Sequence, residues 1–133
     1  MLHDVSFYRI AKSAKRIVLA NAFSIGMLET DCSIRFKKVD LEDVRKFIVY
    51  AVKHGLEIKS IIGHESTAKI LSELLNYNVA VNREMYKMQK NDLLVVFQLK
   101  ERLPEGKVLS KEELEKLVRE NKVEFWLAWI EKF

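Results

Sequence analysis

Leu93-Leu94-Val95-Val96-Phe97-Gln98-Leu99 is an apolar run flanked by charge, with Asp92 before it and Lys100-Glu101-Arg102 after it. Seven residues, mostly branched or aromatic and without helical spacing, read as a strand buried on both faces. Working outward, the segments on either side alternate in type. Asn76 to Asn78 turns the chain into a short strand at Val79–Val81. Before it, Gly63 opens a helix with the stripe Ala68, Leu71, Leu74 and Leu75, and Ile58–Ile62 is a strand. Further back, Asp40 offers an N-cap and Glu42 and Asp43 an acidic first turn. Val44, Phe47, Ile48, Ala51 and Val52 then follow at helical spacing as far as Gly55. Ser33–Val39 alternates and Ile17–Asn21 is short, apolar and branched, so both read as strands. On the carboxyl side, Ser110 and Glu113 form a capping box ahead of Leu114, Leu117 and Val118, and Val123–Ile130 is the last strand.

Strands alternating with helices predict an α/β domain with a mixed, mostly covered central β-sheet flanked by helices. No linker or internal repeat divides the 133 residues. The reading is one domain over residues 17–133, preceded by an extension over 1–16 with a modest helical stripe (Val5, Tyr8, Ile10, Ala11, Ala14).

Composition narrows the function classes. Apolar residues make up 49% and charged residues 32%, which excludes a disordered or low-complexity chain. One cysteine, Cys32, permits no intrachain disulfide and no cysteine-rich zinc ribbon. The charge is mostly Lys and Glu with only two glutamines, a lean toward a hot environment. The apolar run Phe125–Ile130 is far short of the roughly 20 residues that span a bilayer. Lys12, Lys15 and Arg16 before Ile17–Leu28 imitate a secretory leader. Asn21 and Ser24 interrupt that run, however, and Glu29, Thr30 and Asp31 stand where a small-residue cleavage site belongs. The expectation is a soluble cytoplasmic protein with no membrane partner.

The net charge of +4 arises in the first 59 residues, around Arg9, Lys12, Lys15 and Arg16 and again at Arg35, Lys37 and Lys38. A positive face concentrates phosphate-bearing ligands, although +4 is also ordinary solubility charge. No dense basic helix points to a duplex-DNA reader.

The three histidines, His3, His54 and His64, are scattered, and no carboxylate cage accompanies them, so no metal or other cofactor is expected. Four glycines cannot make a phosphate-binding fingerprint, and no serine sits in an elbow motif. His64 remains. It follows Gly63 between an apolar strand and a helix, where free backbone N–H groups attract anions. A bound phosphate would favour its protonated form, which can donate to an oxygen leaving a phosphodiester. The alternative is a histidine that caps the helix or bonds within the protein. Arg102 and Glu105, in the loop Arg102-Leu103-Pro104-Glu105-Gly106, offer a guanidinium fork for phosphate and a carboxylate acceptor, or else a solvated surface pair. Asn21 and Ser24 supply an amide and a hydroxyl at a strand end, and Asn82-Arg83 another guanidinium.

Four blocks occur in order: Asn21-Ala22-Phe23-Ser24, Ile62-Gly63-His64-Glu65-Ser66-Thr67, Asn82-Arg83, and Arg102-Leu103-Pro104-Glu105-Gly106-Lys107-Val108-Leu109. In them the sequence resembles the viral ring nucleases of the type III anti-CRISPR family, whose relatives also occur in cells, over about residues 17–131. The resemblance implies a homodimer that binds cyclic tetra-adenylate, the messenger of type III CRISPR complexes, and cuts it without a metal. His64 would be the general acid and Arg102 would hold the phosphate. Glu105 would position groups, while Ser24, Arg83, Asn21 and Gly63 would bind the ligand. Two alternatives use the same residues differently: a module that sequesters or senses a cyclic nucleotide, and a regulator that binds nucleic acid through the basic first half. The chain departs from the family in its 16 residues ahead of the first strand and in the full helix expected after Asp40.

Overall fold

In the computed structural model, which describes residues 9, 10, 12–101 and 109–133, the buried side chains of the central strands β1 and β4 alternate between two covered faces. Strand β1 (Arg16–Ala20) sends Ile17 and Leu19 to one face and Val18 and Ala20 to the other. Strand β4 (Asp92–Leu99) does the same with Leu93, Val95 and Phe97 against Leu94 and Val96. Side chains in a strand alternate faces, so a strand that is apolar at every position must be covered twice.

The remaining elements are β2 (Ser33–Val39), helix α1 (Leu41–Lys53), β3 (Glu57–Ser60), helix α2 (Glu65–Leu75), helix α3 (Lys111–Arg119) and β5 (Val123–Lys132). The sheet order is β2-β5-β4-β1-β3. β1 pairs in parallel with both β3 and β4, whereas β5 is antiparallel to β4 and to β2. Four strands thus point one way and β5 alone is reversed. The fold is the mixed-sheet α/β domain expected from the sequence.

All three helices bury their stripes on one face. Val44, Phe47, Ile48 and Ala51 of α1, Ala68, Leu71, Leu74 and Leu75 of α2, and Leu114 and Leu117 of α3 join Ile17, Leu19, Val95 and Phe97 in one core. Asp40 caps α1 with a reciprocal box: its carboxylate accepts from the Asp43 N–H at 2.9 Å, and the Asp43 carboxylate accepts from the Asp40 N–H at 3.3 Å. Ser110 and Glu113 cap α3 the same way, both bonds at 3.1 Å. Gly55 follows the end of α1 at φ +68°, a left-handed position that suits glycine.

Among the described residues, the other face carries no α-helix. Val18, Ala20, Leu94, Val96, Ala128 and Ile130 are covered there by Tyr86 and Met88, with Phe23, Met27 and Leu28 packed alongside. Two irregular segments therefore cover this face. The first, residues 21–32, contains a short 3-10 turn at Ile25–Met27. The second, residues 79–90, contradicts the strand expected at Val79–Val81, because no regular secondary structure forms there. Side chains hold it instead: the Val79 N–H donates to Ser72 Oγ (2.8 Å), and Ser60 Oγ donates to the Ala80 carbonyl (2.6 Å). The two segments are tied together by the Met88 N–H donating to the Met27 carbonyl at 2.7 Å.

Phe97 is 2% exposed and tilts against Phe125 with ring centroids 5.4 Å apart. Replacing it with alanine removes a ring from the middle of the core and should cost about 3–5 kcal/mol. Chemical denaturation should show this as a lowered midpoint with an unchanged slope. An unchanged midpoint would mean that the core on the helical side is not built as described.

Candidate functional site

The parallel strands set the site. β4, β1 and β3 are neighbours pointing the same way, so their carboxyl ends share one edge, where α/β sheets commonly bind ligands. Asn21 directly follows β1, and Gly63 and His64 lie just past β3. The β1–β3 ladder continues one bond beyond β3, with the Ile61 N–H donating to the Leu19 carbonyl at 2.9 Å. This continuation brings the chain after β3 alongside the end of β1.

His64 is the N-cap residue of α2, in extended backbone (φ −120°, ψ 129°). Its side chain makes no capping hydrogen bond and is exposed to solvent. The first intrahelical bond runs from the Ala68 N–H to the His64 carbonyl at 3.0 Å. The N–H groups of Glu65, Ser66 and Thr67 precede it, which is the geometry that attracts anions. Glu65, also exposed, sets a negative charge in the same turn.

Arg83 reaches this place from the second covering segment. The Asn82 N–H donates to the Ile62 carbonyl and Asn82 Nδ2 to the Ser60 carbonyl, both at 2.8 Å. Arg83 Nη2 then donates to the Gly63 carbonyl at 3.2 Å. Glycine at 63 allows this approach, since a Cβ there would stand 3.2 Å from Arg83 Nε. The segments 60–63 and 80–83 thus run side by side, and a guanidinium comes to rest against the residue preceding His64.

Of the residues singled out from sequence, Gly63, His64 and Arg83 are brought together. Asn21 and Ser24 leave the same sheet edge, with Ser24 Oγ folded back to 3.8 Å from the place of a Cβ on Gly26. Among the described residues, no hydrogen bond joins Asn21 or Ser24 to His64 or Arg83. Arg102 and Glu105 follow the carboxyl end of β4 and lie outside the described residues. Among the described residues, no three His, Cys, Asp or Glu gather where they could hold a metal ion, and no helix is long and apolar enough to cross a membrane.

Sequence reasoning missed the polar cluster behind Arg83. Asp92, 5% exposed, opens β4 directly opposite Arg16 of β1. Arg16 donates to it from Nε at 3.0 Å and from Nη2 at 2.7 Å. The Tyr86 hydroxyl also donates to Asp92, and the Gln89 N–H does so at 3.0 Å. Arg16 lies over the Tyr86 ring at 5.6 Å. Burial, then the hydrogen bond and the charge of Asp92, push the Tyr86 hydroxyl well above the ordinary tyrosine value, so it stays a donor. The hydrogen bond to Asp92 raises Arg16 despite its partial burial. One signal was available in the sequence: an acid at the head of an apolar strand needs a partner. Which partner depends on a register that the sequence does not display.

Gly63→Ala tests the close approach. The new methyl meets an exposed, flexible side chain that can move, so stability should change by less than about 1 kcal/mol. A structure of the variant should show the Arg83 guanidinium displaced from the Gly63 carbonyl, and an unmoved guanidinium would contradict the role given to glycine.

Comparison with known proteins places this geometry in a family. The sequence profile of STIV B116-like proteins matches residues 17–127. The structure is similar to B116 of Sulfolobus turreted icosahedral virus, with a TM-score of 0.76 and 34% identity, covering 86% of this chain and 98% of that one. ORF116 of Acidianus filamentous virus 1 is 30% identical over 110 residues, 83% of this chain and 91% of the relative. YddF of Bacillus subtilis is 34% identical over 80 residues, 60% of this chain and 71% of the relative. With a profile that starts inside β1 and ends inside β5, and a solved fold matched almost end to end, the chain belongs to the STIV B116-like family.

Proposed function

We propose that the protein is a metal-independent ring nuclease that opens cyclic tetra-adenylate and so switches off type III CRISPR signalling. The observation that carries this reading is the uncommitted imidazole of His64. It sits at a helix N-terminus, next to a residue whose carbonyl holds the Arg83 guanidinium. A helix N-terminus and a guanidinium suit a phosphodiester, and an exposed histidine whose side chain does not cap the helix suits proton donation to it. The four ordered sequence blocks add the identity of the ring.

RNA supplies its own nucleophile. A ribose 2′-hydroxyl attacks the adjacent phosphorus, forming the P–O2′ bond and losing its proton to solvent. The P–O5′ bond breaks, and His64 gives its proton to the departing 5′-oxygen. The product ends are a 2′,3′-cyclic phosphate and a 5′-hydroxyl, and two such cuts give linear di-adenylates. Arg83, Ser24, Asn21 and the Gly63 backbone hold the ring in line. Arg102 stabilises the charge developing on phosphorus, and Glu105 positions groups around it.

A homodimer belongs to the proposal. In one chain His64, Ser24 and Arg83 are all exposed, whereas a four-phosphate ring calls for two equivalent acids on opposite sides. The helix-free side presents Ile25 at 79%, Phe36 at 46% and Met85 at 88% exposure. A second copy would cover these side chains and bring two sites together. Met85→Glu should shift the protein from dimer toward monomer in analytical ultracentrifugation, and an unchanged mass would place the interface elsewhere.

The decisive experiment incubates labelled cyclic tetra-adenylate with the protein in EDTA. Linear di-adenylates are expected, and His64→Ala should slow their formation about 100- to 10,000-fold. Failure of the wild type to cleave, or full activity in the variant, overturns the reading. Tight binding without turnover would make the protein a sequestering module instead.

A further inference from the structure

The segment that carries Arg83 has no regular secondary structure, so the hydrogen bonds of residues 79–90 must fix it from outside. Ahead of Arg83 the anchors are Ser72, Ser60 and Asn82. Behind it the nearest side-chain anchors are Glu84, paired with Lys59 at 2.7 Å, and Tyr86, bonded to Asp92. Farther on, Lys87 Nζ and the Met88 N–H donate to the Gly26 and Met27 carbonyls, both at 2.7 Å, and the Gln89 N–H donates to Asp92 at 3.0 Å. The Glu84 pair is partly exposed on both sides, and exposed pairs hold little. The Tyr86 bond is different. Tyr86 is 6% exposed, its ring lies in the helix-free core, and its hydroxyl meets a buried carboxylate already gripped twice by Arg16. Hydrogen bonds to a charged group in a buried setting are the strong ones.

From this juxtaposition we infer that Tyr86 is a positioning residue for ligand binding: its bond to the Arg16–Asp92 pair holds Arg83 against Gly63, beside His64. The inference deepens the proposed function and rests on it for the identity of the ligand. Tyr86 touches no ligand itself. It lies three residues from Arg83, so slack at Asp92 is transmitted along an extended chain that has no helix or ladder to absorb it.

Tyr86→Phe removes one oxygen and keeps the ring. The expected result is a KM for cyclic tetra-adenylate raised about five-fold with kcat unchanged, because the acid on the leaving oxygen stays in place. In an Arg83→Ala background, the same substitution should leave KM where Arg83→Ala alone puts it. A purely structural role predicts otherwise: fewer active molecules, an unchanged KM, and effects that add across the two backgrounds. An unchanged KM, or effects that add across the two backgrounds, overturns the inference.

A ligand-independent arm separates this claim from the functional one. Amide hydrogen exchange should speed up at residues 81–88 in Tyr86→Phe while β1 and β4 keep their protection. Protected amides at 81–88 sink the positioning role whatever the ring does. If exchange speeds up but the wild type neither binds nor cuts the ring, the functional reading fails and the latch stands.

Discussion

The bidentate pair between Arg16 and Asp92 fixes the level at which the two central strands begin. These residues open β1 and β4 and lie directly opposite each other in a parallel ladder. From that start, Ala20 comes level with Val96, and Leu19 with Ser60 on the other side. A slip of one residue would turn Ile17 and Leu19 away from the helices and Val18 and Ala20 toward them. It would also part a carboxylate that is 5% exposed from its guanidinium, a loss of roughly 3–5 kcal/mol for a buried pair. The loops bearing Asn21 and His64 leave the sheet at the height this pair sets. Register at one edge thus governs geometry at the other.

Buried ion pairs add little stability over a well-packed apolar substitute. This one does more than pair, since Tyr86 and the Gln89 N–H converge on the same carboxylate. Asp92 is therefore the peg on which the second covering segment hangs. That arrangement follows from how unequally the sheet is covered. Three helices insulate one face, while two irregular segments, 21–32 and 79–90, cover the other. The same segments carry Ser24 and Arg83, so covering the core and presenting the candidate site residues are one structural task.

The sequence made local features legible. Ser33–Val39 alternates, and β2 has those bounds; Asp40 announces an N-cap and Ser110 with Glu113 a capping box, and both form. The expected strand at Val79–Val81 failed for a physical reason. No neighbouring strand pairs with Val79–Val81, and Ser72 and Ser60 bond to Val79 and Ala80 instead. Arg83 could be singled out as a guanidinium after a short apolar stretch. Its place against Gly63 depends on contacts across twenty residues, and its support depends on Arg16 and Asp92, 76 residues apart. Such separations are settled by strand order, which composition and periodicity do not encode.

The three helices make the last point together. α1 and α3 each begin with a complete capping box, whereas α2 begins at His64 with no side-chain cap. An Asp, Ser or Asn at position 64 would stabilise the helix by about 1 kcal/mol. An uncapped terminus leaves the N–H groups of Glu65, Ser66 and Thr67 available to an outside acceptor, and a histidine that does not cap leaves its ring available as well. The chain caps α1 and α3 fully. It leaves uncapped the helix whose first turn follows Gly63, the residue whose carbonyl holds the Arg83 guanidinium. Local sequence alone could not separate a capping histidine from an uncommitted one. In the structure the His64 side chain does not cap, and among the described residues the helix end it opens lies beside a guanidinium held on the Gly63 carbonyl, an arrangement of the kind that attracts anions.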